Sequence, residues 1–339
     1  MILKKIFLKL GPKFTSRAIA LTLAFLLCFG IYQAFMKPPK VSHTDTQSPS
    51  ADSPHITDTE KTDTENAVNP QGNGTTTYTI DGSKEITTPL SSTAALLCNN
   101  AQNTVNLRKN AEKAVTSAPI LALSVALTVL DAIEKGEASP SDRAVCPATA
   151  VRLPCYSASS YIISVGQSLT VAELVKTMLC TQPELFAYTL AIHIYGSESE
   201  FLTHMNTLLK SVGTTNTVFR SLTDSEKQTT TVLDAAIIFR AATENTLLRS
   251  LLASREAFTV SASGSAWNTV TLCGRFYSEC CTEGQAKADG IICGYYGEYG
   301  GKQYVYMLFE QLGTTYLTVA IGGSTAYADS LILLSNAGK

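Results

Sequence analysis

Hydrophobic and polar positions divide the chain into successive stretches. Residues 18–36 form an apolar run without a single Lys, Arg, Asp or Glu. Residues 37–90 are polar, dominated by Ser, Thr, Asp and Pro. From residue 91 to the end, apolar residues recur in short periodic segments. At about 1.5 Å rise per residue, 18–36 as a helix comes close to the roughly 30 Å hydrocarbon core of a bilayer. Lys4, Lys5, Lys9, Lys13 and Arg17 precede it, whereas only Lys37 and Lys40 follow closely. That bias predicts a cytoplasmic tail at 1–17, a membrane anchor at 18–36 and the remainder outside the cytoplasm. A cleaved signal peptide is the rival reading, but Tyr32-Gln33-Ala34 is a poor small-x-small site and the apolar run is long for a signal. The polar stretch cannot bury enough surface to offset its ordering entropy, so 37–90 reads as a linker. Its last part, 78–88, reads alternatively as a small hairpin around Asp81-Gly82.

Within 91–339 the period changes along the chain. Residues 94–98 and 104–107 suggest two strands. Residues 119–133 are apolar on nearly every face, with Pro119 in the first turn, which predicts a helix buried inside a core. A second membrane span is the alternative, but the run is short and Asp131 would fall inside it. Further helices are predicted at 171–180, 184–195, 198–212, 231–244 and 246–253, and strands rich in Tyr, Val and Ile at 258–260, 268–272, 290–296, 303–310 and 315–322. A helix at 326–334 closes the chain. Two strands, a helical block, several strands and a last helix predict an α+β fold on an antiparallel sheet.

Composition changes this picture little. Hydrophobic residues at 45% and charged residues at 16% supply enough apolar material for a large domain beside the tails. A net charge of -2 gives no nucleic-acid footprint. The cysteines matter more. Cys28 lies in the apolar run, and the other eight fall in the part expected outside the cytoplasm, where disulfides are permitted. Cys146 and Cys155 flank a short Pro-containing loop that a local bridge would close. Cys273, Cys280 and Cys281 are placed to pair across a hairpin, with a zinc site as the alternative, although their spacing matches no zinc pattern. His43, His55, His193 and His204 are too scattered for a metal cluster, so neither metal nor cofactor is expected.

Several stretches in order resemble the serine D-Ala-D-Ala carboxypeptidases, the low-molecular-weight penicillin-binding proteins. They are the hairpin ending in Lys109-Asn110, the helix and turn at 126–136, Ser168-Leu169-Thr170-Val171-Ala172-Glu173-Leu174, the segment 198–219 with Met205-Asn206 and Val212-Gly213-Thr214-Thr215-Asn216-Thr217, and Asp289-Gly290-Ile291. The resemblance implies a penicillin-binding-protein/β-lactamase-like fold, an antiparallel sheet with helices on both faces. Many such carboxypeptidases carry a trailing β-domain, and since the helix expected to close the first domain comes last here, none is expected in this chain.

The same resemblance locates three motifs that carry acyl-transfer chemistry. Serine and lysine of Ser-x-x-Lys fall on Pro119 and Ala122, which supply neither nucleophile nor base. The Ser-x-Asn positions fall on Gln182 and Glu184, so an anion stands where the family has a neutral amide. Lys-Thr-Gly falls on Ile292, Cys293 and Gly294. The glycine stays and the cation is gone. Neither Ser-x-x-Lys nor Lys-Ser/Thr-Gly occurs anywhere in the chain. Ser117 and Ser124 lie near the vacated nucleophile, but they read as a helix cap and a packed hydroxyl. By the resemblance, Cys180 and Cys293 border the emptied cleft from opposite sides, either as a disulfide or reactive pair or as two separate buried cysteines. The expectation is a membrane-anchored, carboxypeptidase-like protein of peptidoglycan biology without catalytic residues. Its expected partners are a stem peptide or a cell-envelope protein. The alternative is an active hydrolase working through other residues.

Overall fold

The structure, a computed structural model, describes residues 77–155, 162–181, 183–224, 227–262, 269–272, 274–281 and 290–337. The expected tail and anchor, the linker up to residue 76, Gln182 and Cys273 lie outside the described residues.

A six-stranded sheet organises the domain. Its strands are β1 (Lys84–Glu85), β2 (Ala94–Asn99), β3 (Thr104–Lys109), and, far along the chain, β10 (Ile291–Tyr299), β11 (Lys302–Gln311) and β12 (Thr314–Gly323). Their spatial order is β1-β3-β2-β12-β11-β10, and every pairing is antiparallel except β1 with β3. Both faces are covered, which is why these strands read as near-continuous apolar runs. Ala94, Leu96, Cys98, Tyr304, Tyr306, Leu317 and Val319 point into one buried cluster. Their neighbours Ala95, Leu97, Val305, Met307, Phe309 and Ala320 point into a second. This is the two-residue period of a pleated strand.

The main face is covered by the block between β3 and β10. There β4 (Val115–Thr116) leads through a 3₁₀ turn at Ala118–Ile120 into α1 (Leu121–Glu134), followed by β5 (Arg143–Val145), a second 3₁₀ turn at Ala148–Arg152 and β6 (Ser168–Thr170). Then come α2 (Val171–Cys180), α3 (Pro183–Tyr195), α4 (Glu198–Ser211), β7 (Thr229–Thr230), α5 (Val232–Glu244), α6 (Thr246–Ala253), the pair β8 (Phe258–Ser261) and β9 (Thr269–Leu272), and α7 (Arg275–Cys280). On the other face lies α8 (Ala326–Leu334), together with the Phe276 and Cys280 side chains of α7. Among the described residues no helix is long and apolar enough to cross a membrane. The apolar α1 is instead the centre of the core, with Leu121 to Ala126 fully buried. Thr170 and Glu173 cap α2 reciprocally, satisfying the first free amides of that helix.

Two expectations are corrected. Residues 78–88 do not pair with each other. They turn at Asp81-Gly82, but Thr79 bridges Thr104 and β1 pairs with β3, both in parallel, while the Tyr78 ring is buried. The free edge of β3 offers unpaired donors and acceptors to both legs, and it outcompetes a two-stranded ribbon standing alone. Residues 274–281 carry a short helix rather than a hairpin turn. Phe276 and Cys280 stand one helical turn apart and bury themselves together.

A buried carboxylate locks segments distant in sequence. Asp329 of α8 accepts from the amides and hydroxyls of Ser91 and Ser92 just before β2. Lys109 Nζ donates to the carbonyls of Leu90 and Ser92, and Asn110 Nδ2 donates to that of Thr93. The Lys109-Asn110 pair thus fastens the chain's entry into the sheet.

Candidate functional site

Of the motif positions, Pro119 and the third-motif residues lie together at the β10 edge of the sheet. The 3₁₀ turn that carries Pro119 packs against β10, and a Cβ placed on Gly297 would lie 3.0 Å from the Cβ of Pro119. Pro119 is buried, and Ala122 is fully enclosed one turn further on. Ser117 precedes the turn at its N-cap position without a side-chain capping bond, and Ser124 Oγ donates back to the Ile120 carbonyl at 3.0 Å. Both serines are buried.

Glu184 sits in the first turn of α3, where the helix dipole favours a carboxylate. Its carboxylate is hydrogen-bonded to the Cys155 thiol. Burial, with this carboxylate beside it, pushes that thiol up to about 11. Ile292 occupies a bulge in β10: the register runs from Ile291 opposite Phe309 directly to Cys293 opposite Leu308. The bulge sets Cys293 and Tyr295 toward the main core and Gly294 toward α7. A Cβ on Gly294 would lie 2.5 Å from three atoms of the Phe276 ring. The third-motif glycine is therefore used for a close approach, and the group that approaches is the chain's own phenylalanine.

No disulfide joins any two of the described cysteines, so Cys180 and Cys293 are separate and no bridge closes the Cys146–Cys155 loop, while a pairing of Cys273 lies outside the described residues. Each thiol has its own surroundings. Cys146 is hydrogen-bonded to Thr189, and Cys155 to Glu184. Cys293 is wholly buried in the main cluster, which pushes its thiol up to about 12. Cys180, at the end of α2, lines a cavity. Cys280 is buried in the second cluster, its thiol pushed up to about 12 by burial and then by neighbouring Cys281. Cys281 lies 3.9 Å from the Tyr327 hydroxyl. Among the described residues, no group of three or more His, Cys, Asp and Glu side chains is arranged to hold a metal ion. His204 stacks on Tyr195 at 4.1 Å.

The cavity beside the third-motif strand measures about 40 Å³. Its walls come from the last turn of α2, from α6, from the start of β8 and α7, and from Gly294 to Tyr296 of β10. Sequence reasoning missed two of its members. Lys176 holds its Nζ 4.3 Å from the centre of the Phe258 ring. The Arg275 guanidinium lies 4.9 Å from the centre of the Tyr296 ring, with one nitrogen 3.7 Å from Glu298. Burial, and then Glu298, pushes the Tyr296 phenol up to about 12, so it stays protonated and can donate. No motif match flags these two cations. The one signal in the sequence is that Lys176 stands one helical turn before Cys180.

Comparison with known proteins agrees with this geometry. A family model described as D-alanyl-D-alanine carboxypeptidase, peptidase S11, matches residues 82–295. A D-alanyl-D-alanine carboxypeptidase of Bacillus subtilis, DacF, is 26% identical over 130 residues, which are 38% of this chain and 33% of that protein. The match thus spans about a third of the relative's length. The fold is similar to that of a D-alanyl-D-alanine carboxypeptidase from Mycobacterium tuberculosis, with a TM-score of 0.60 and 17% identity over 76% of this chain and 97% of that one. It is similar also to penicillin-binding protein D2 of Listeria monocytogenes in an ampicillin-bound form, with a TM-score of 0.59 and 19% identity over 74% and 98% of the two chains. A family model covering well over half of the chain, joined to an α+β fold of penicillin-binding-protein type, settles the affiliation: the chain belongs to the D-alanyl-D-alanine carboxypeptidase family.

Proposed function

We propose that this family member is a membrane-anchored protein of the cell envelope that retains the carboxypeptidase fold without acyl-serine chemistry, and that it binds peptidoglycan stem peptide through the remodelled cleft. One observation carries the reading. The motif order of the sequence assigns Pro119 and Ala122 to the positions of the family's nucleophile and base, and both are enclosed by packing. Without a hydroxyl or thiol and its base within reach, no acyl-enzyme forms. The other replacements point the same way: Glu184 brings an anion to the second motif, and Ile292 removes the cation of the third. Anchoring rests on the uncharged run 18–36 and the basic residues before it. An anchor with a polar linker keeps such a domain beside the outer membrane face.

The purified full-length chain, incubated with a stem pentapeptide, is expected to release no D-alanine above background and to co-sediment with isolated peptidoglycan. Release of D-alanine at an enzymatic rate would replace this reading with that of an active hydrolase. Failure to sediment with peptidoglycan would instead point to a protein partner in the envelope.

A further inference from the structure

The edge of the sheet opposite β10 carries an arch over a cavity. The segment before β2 touches β3 at two places: Thr79 bridges Thr104, and Lys84 pairs with Leu107. The outer segment advances five residues from Thr79 to Lys84 while β3 advances three from Thr104 to Leu107, so the turn at Asp81-Gly82 stands away from the strand. Here β3 is itself irregular. Leu97 of β2 lies opposite Leu107 and Cys98 lies opposite Val105, so Asn106 is an extra residue with no partner on β2. A bulge of this kind bends the strand and re-aims the side chain it carries. The cavity measures about 360 Å³, within the range of about 300–1,000 Å³ of small-molecule sites. Thr104, Asn106 and Leu107 line it from β3, Asp81 and Lys84 from the arch, and Asn336 from the turn after α8. Asn106 Oδ1 is buried and accepts from no described residue, and Ser83 Oγ in the arch is buried and unpaired among the described residues. A buried amide carbonyl left unpaired lowers stability, so one kept beside a cavity calls for a donor from a bound partner.

Charge and side-chain type narrow that partner. Asp81 and Lys84, both exposed, offset each other, and the other lining residues are uncharged. Among the described residues no aromatic ring lines the cavity, so a planar aromatic ligand has nothing to stack on. The rest is amide, hydroxyl, glycine and aliphatic surface, which suits a ligand dense in hydrogen-bond donors with short apolar patches between them. We infer that this cavity binds a neutral saccharide, with the Asn106 carbonyl accepting a hydroxyl or amide N–H from it and the Thr104 hydroxyl contributing a second hydrogen bond. The site lies at the other end of the sheet from β10, and its occupancy does not depend on what the cleft binds.

The test uses the full-length chain in nanodiscs, free of glycoside detergents. Cellobiose and N,N′-diacetylchitobiose are the neutral probes, with the cationic glucosamine dimer and anionic cellobiouronic acid as charged ones. Binding is read by saturation-transfer NMR titration, and stability by thermal unfolding. Both neutral disaccharides are expected to bind, severalfold tighter than either charged one. Asn106→Leu is expected to weaken that binding at least about tenfold, the value of one good hydrogen bond. The same variant is expected to leave the melting temperature unchanged or raised, because an apolar side chain removes the unpaired carbonyl. Thr104→Val, which removes only a hydroxyl, is expected to weaken binding severalfold. No binding of either neutral disaccharide at millimolar concentration would overturn the inference, as would tighter binding of a charged one. Unchanged affinity in both variants would place the sugar elsewhere and overturn it as well. A melting temperature lowered by Asn106→Leu, with Thr104→Val binding as the parent does, would make Asn106 a packing residue and contradict the assignment.

Discussion

Replacing Gly290 by alanine is expected to destabilise the domain by about 3–5 kcal/mol, through backbone strain together with overlap that no side chain can relieve. Gly290 opens β10 with φ +84°, a region that costs residues with a Cβ roughly 1–2 kcal/mol. A Cβ there would lie 2.2 Å from the carbonyl oxygen of Glu310. That atom cannot step aside, because the Glu310 amide donates to the Gly290 carbonyl at 2.8 Å and β11 is paired on both sides. Either the strand-opening hydrogen bond breaks or β10 shifts along its edge. A drop of roughly 10 °C in the melting temperature is expected for a domain of this size. Gly136→Ala is the control. Gly136 has φ +75° but nothing within 4 Å of its added Cβ, so only the conformational cost of about 1–2 kcal/mol is expected. Equal melting temperatures for the two variants would show that the close approach to Glu310 carries no weight.

The second large effect is expected at Asp234. This carboxylate is fully buried in the first turn of α5. It accepts from the Asn216 amide at 2.6 Å, the Thr217 hydroxyl at 2.7 Å and the Thr215 amide at 3.2 Å. Thr217 in turn bonds Thr230 of β7, and β7 pairs with β4 just before the turn that carries Pro119. Asp234→Ala removes the common acceptor of three donors and leaves buried Thr217 without its charged partner. Charge-assisted bonds contribute about 1.5–3 kcal/mol each when one side is removed, and the exposed amides of Thr215 and Asn216 regain water, so a loss of about 3–4 kcal/mol is expected. Asp234→Asn keeps the shape but offers one acceptor oxygen instead of two, and an intermediate loss is expected. Chemical denaturation of the two variants checks the order. An Asp234→Ala variant as stable as the parent would show that the 213–217 turn does not depend on this carboxylate.

Much of this architecture is legible in the sequence because it is written in long periodic runs. The buried α1, the helices α2 to α6 and the long strands β10 to β12 stand close to where the apolar pattern puts them. The pieces that escape are short or set by distant partners. Six residues are too few for a helical period to declare α7, and the parallel addition of β1 depends on the free edge of β3, which no local pattern reveals. The site divides in the same way. Positions such as Pro119, Glu184 and Ile292 follow from the family's motif order. The state of the cysteines does not, since Cys155 has both Cys146 and Glu184 beside it and no disulfide forms. Lys176 and Arg275 lie far apart in sequence and come to line one cavity only in the fold.

The retained glycine of the third motif shows why family resemblance and function separate. In the sequence, Gly294 is the one residue of the third motif that stays. In the fold Phe276 lies against it and also packs edge-on against Tyr327 at 6.2 Å between ring centres. The close approach at Gly294 is thus one of packing within the chain.

On the proposed function, this member of the family forms no acyl-enzyme. Incubation of the full-length chain with a fluorescent penicillin, followed by denaturing electrophoresis and peptide mapping, tests it most directly. No covalent label is predicted, even after long incubation at high penicillin concentration. A label that survives denaturation and maps to a serine, Ser117 or Ser124 foremost, would contradict the account.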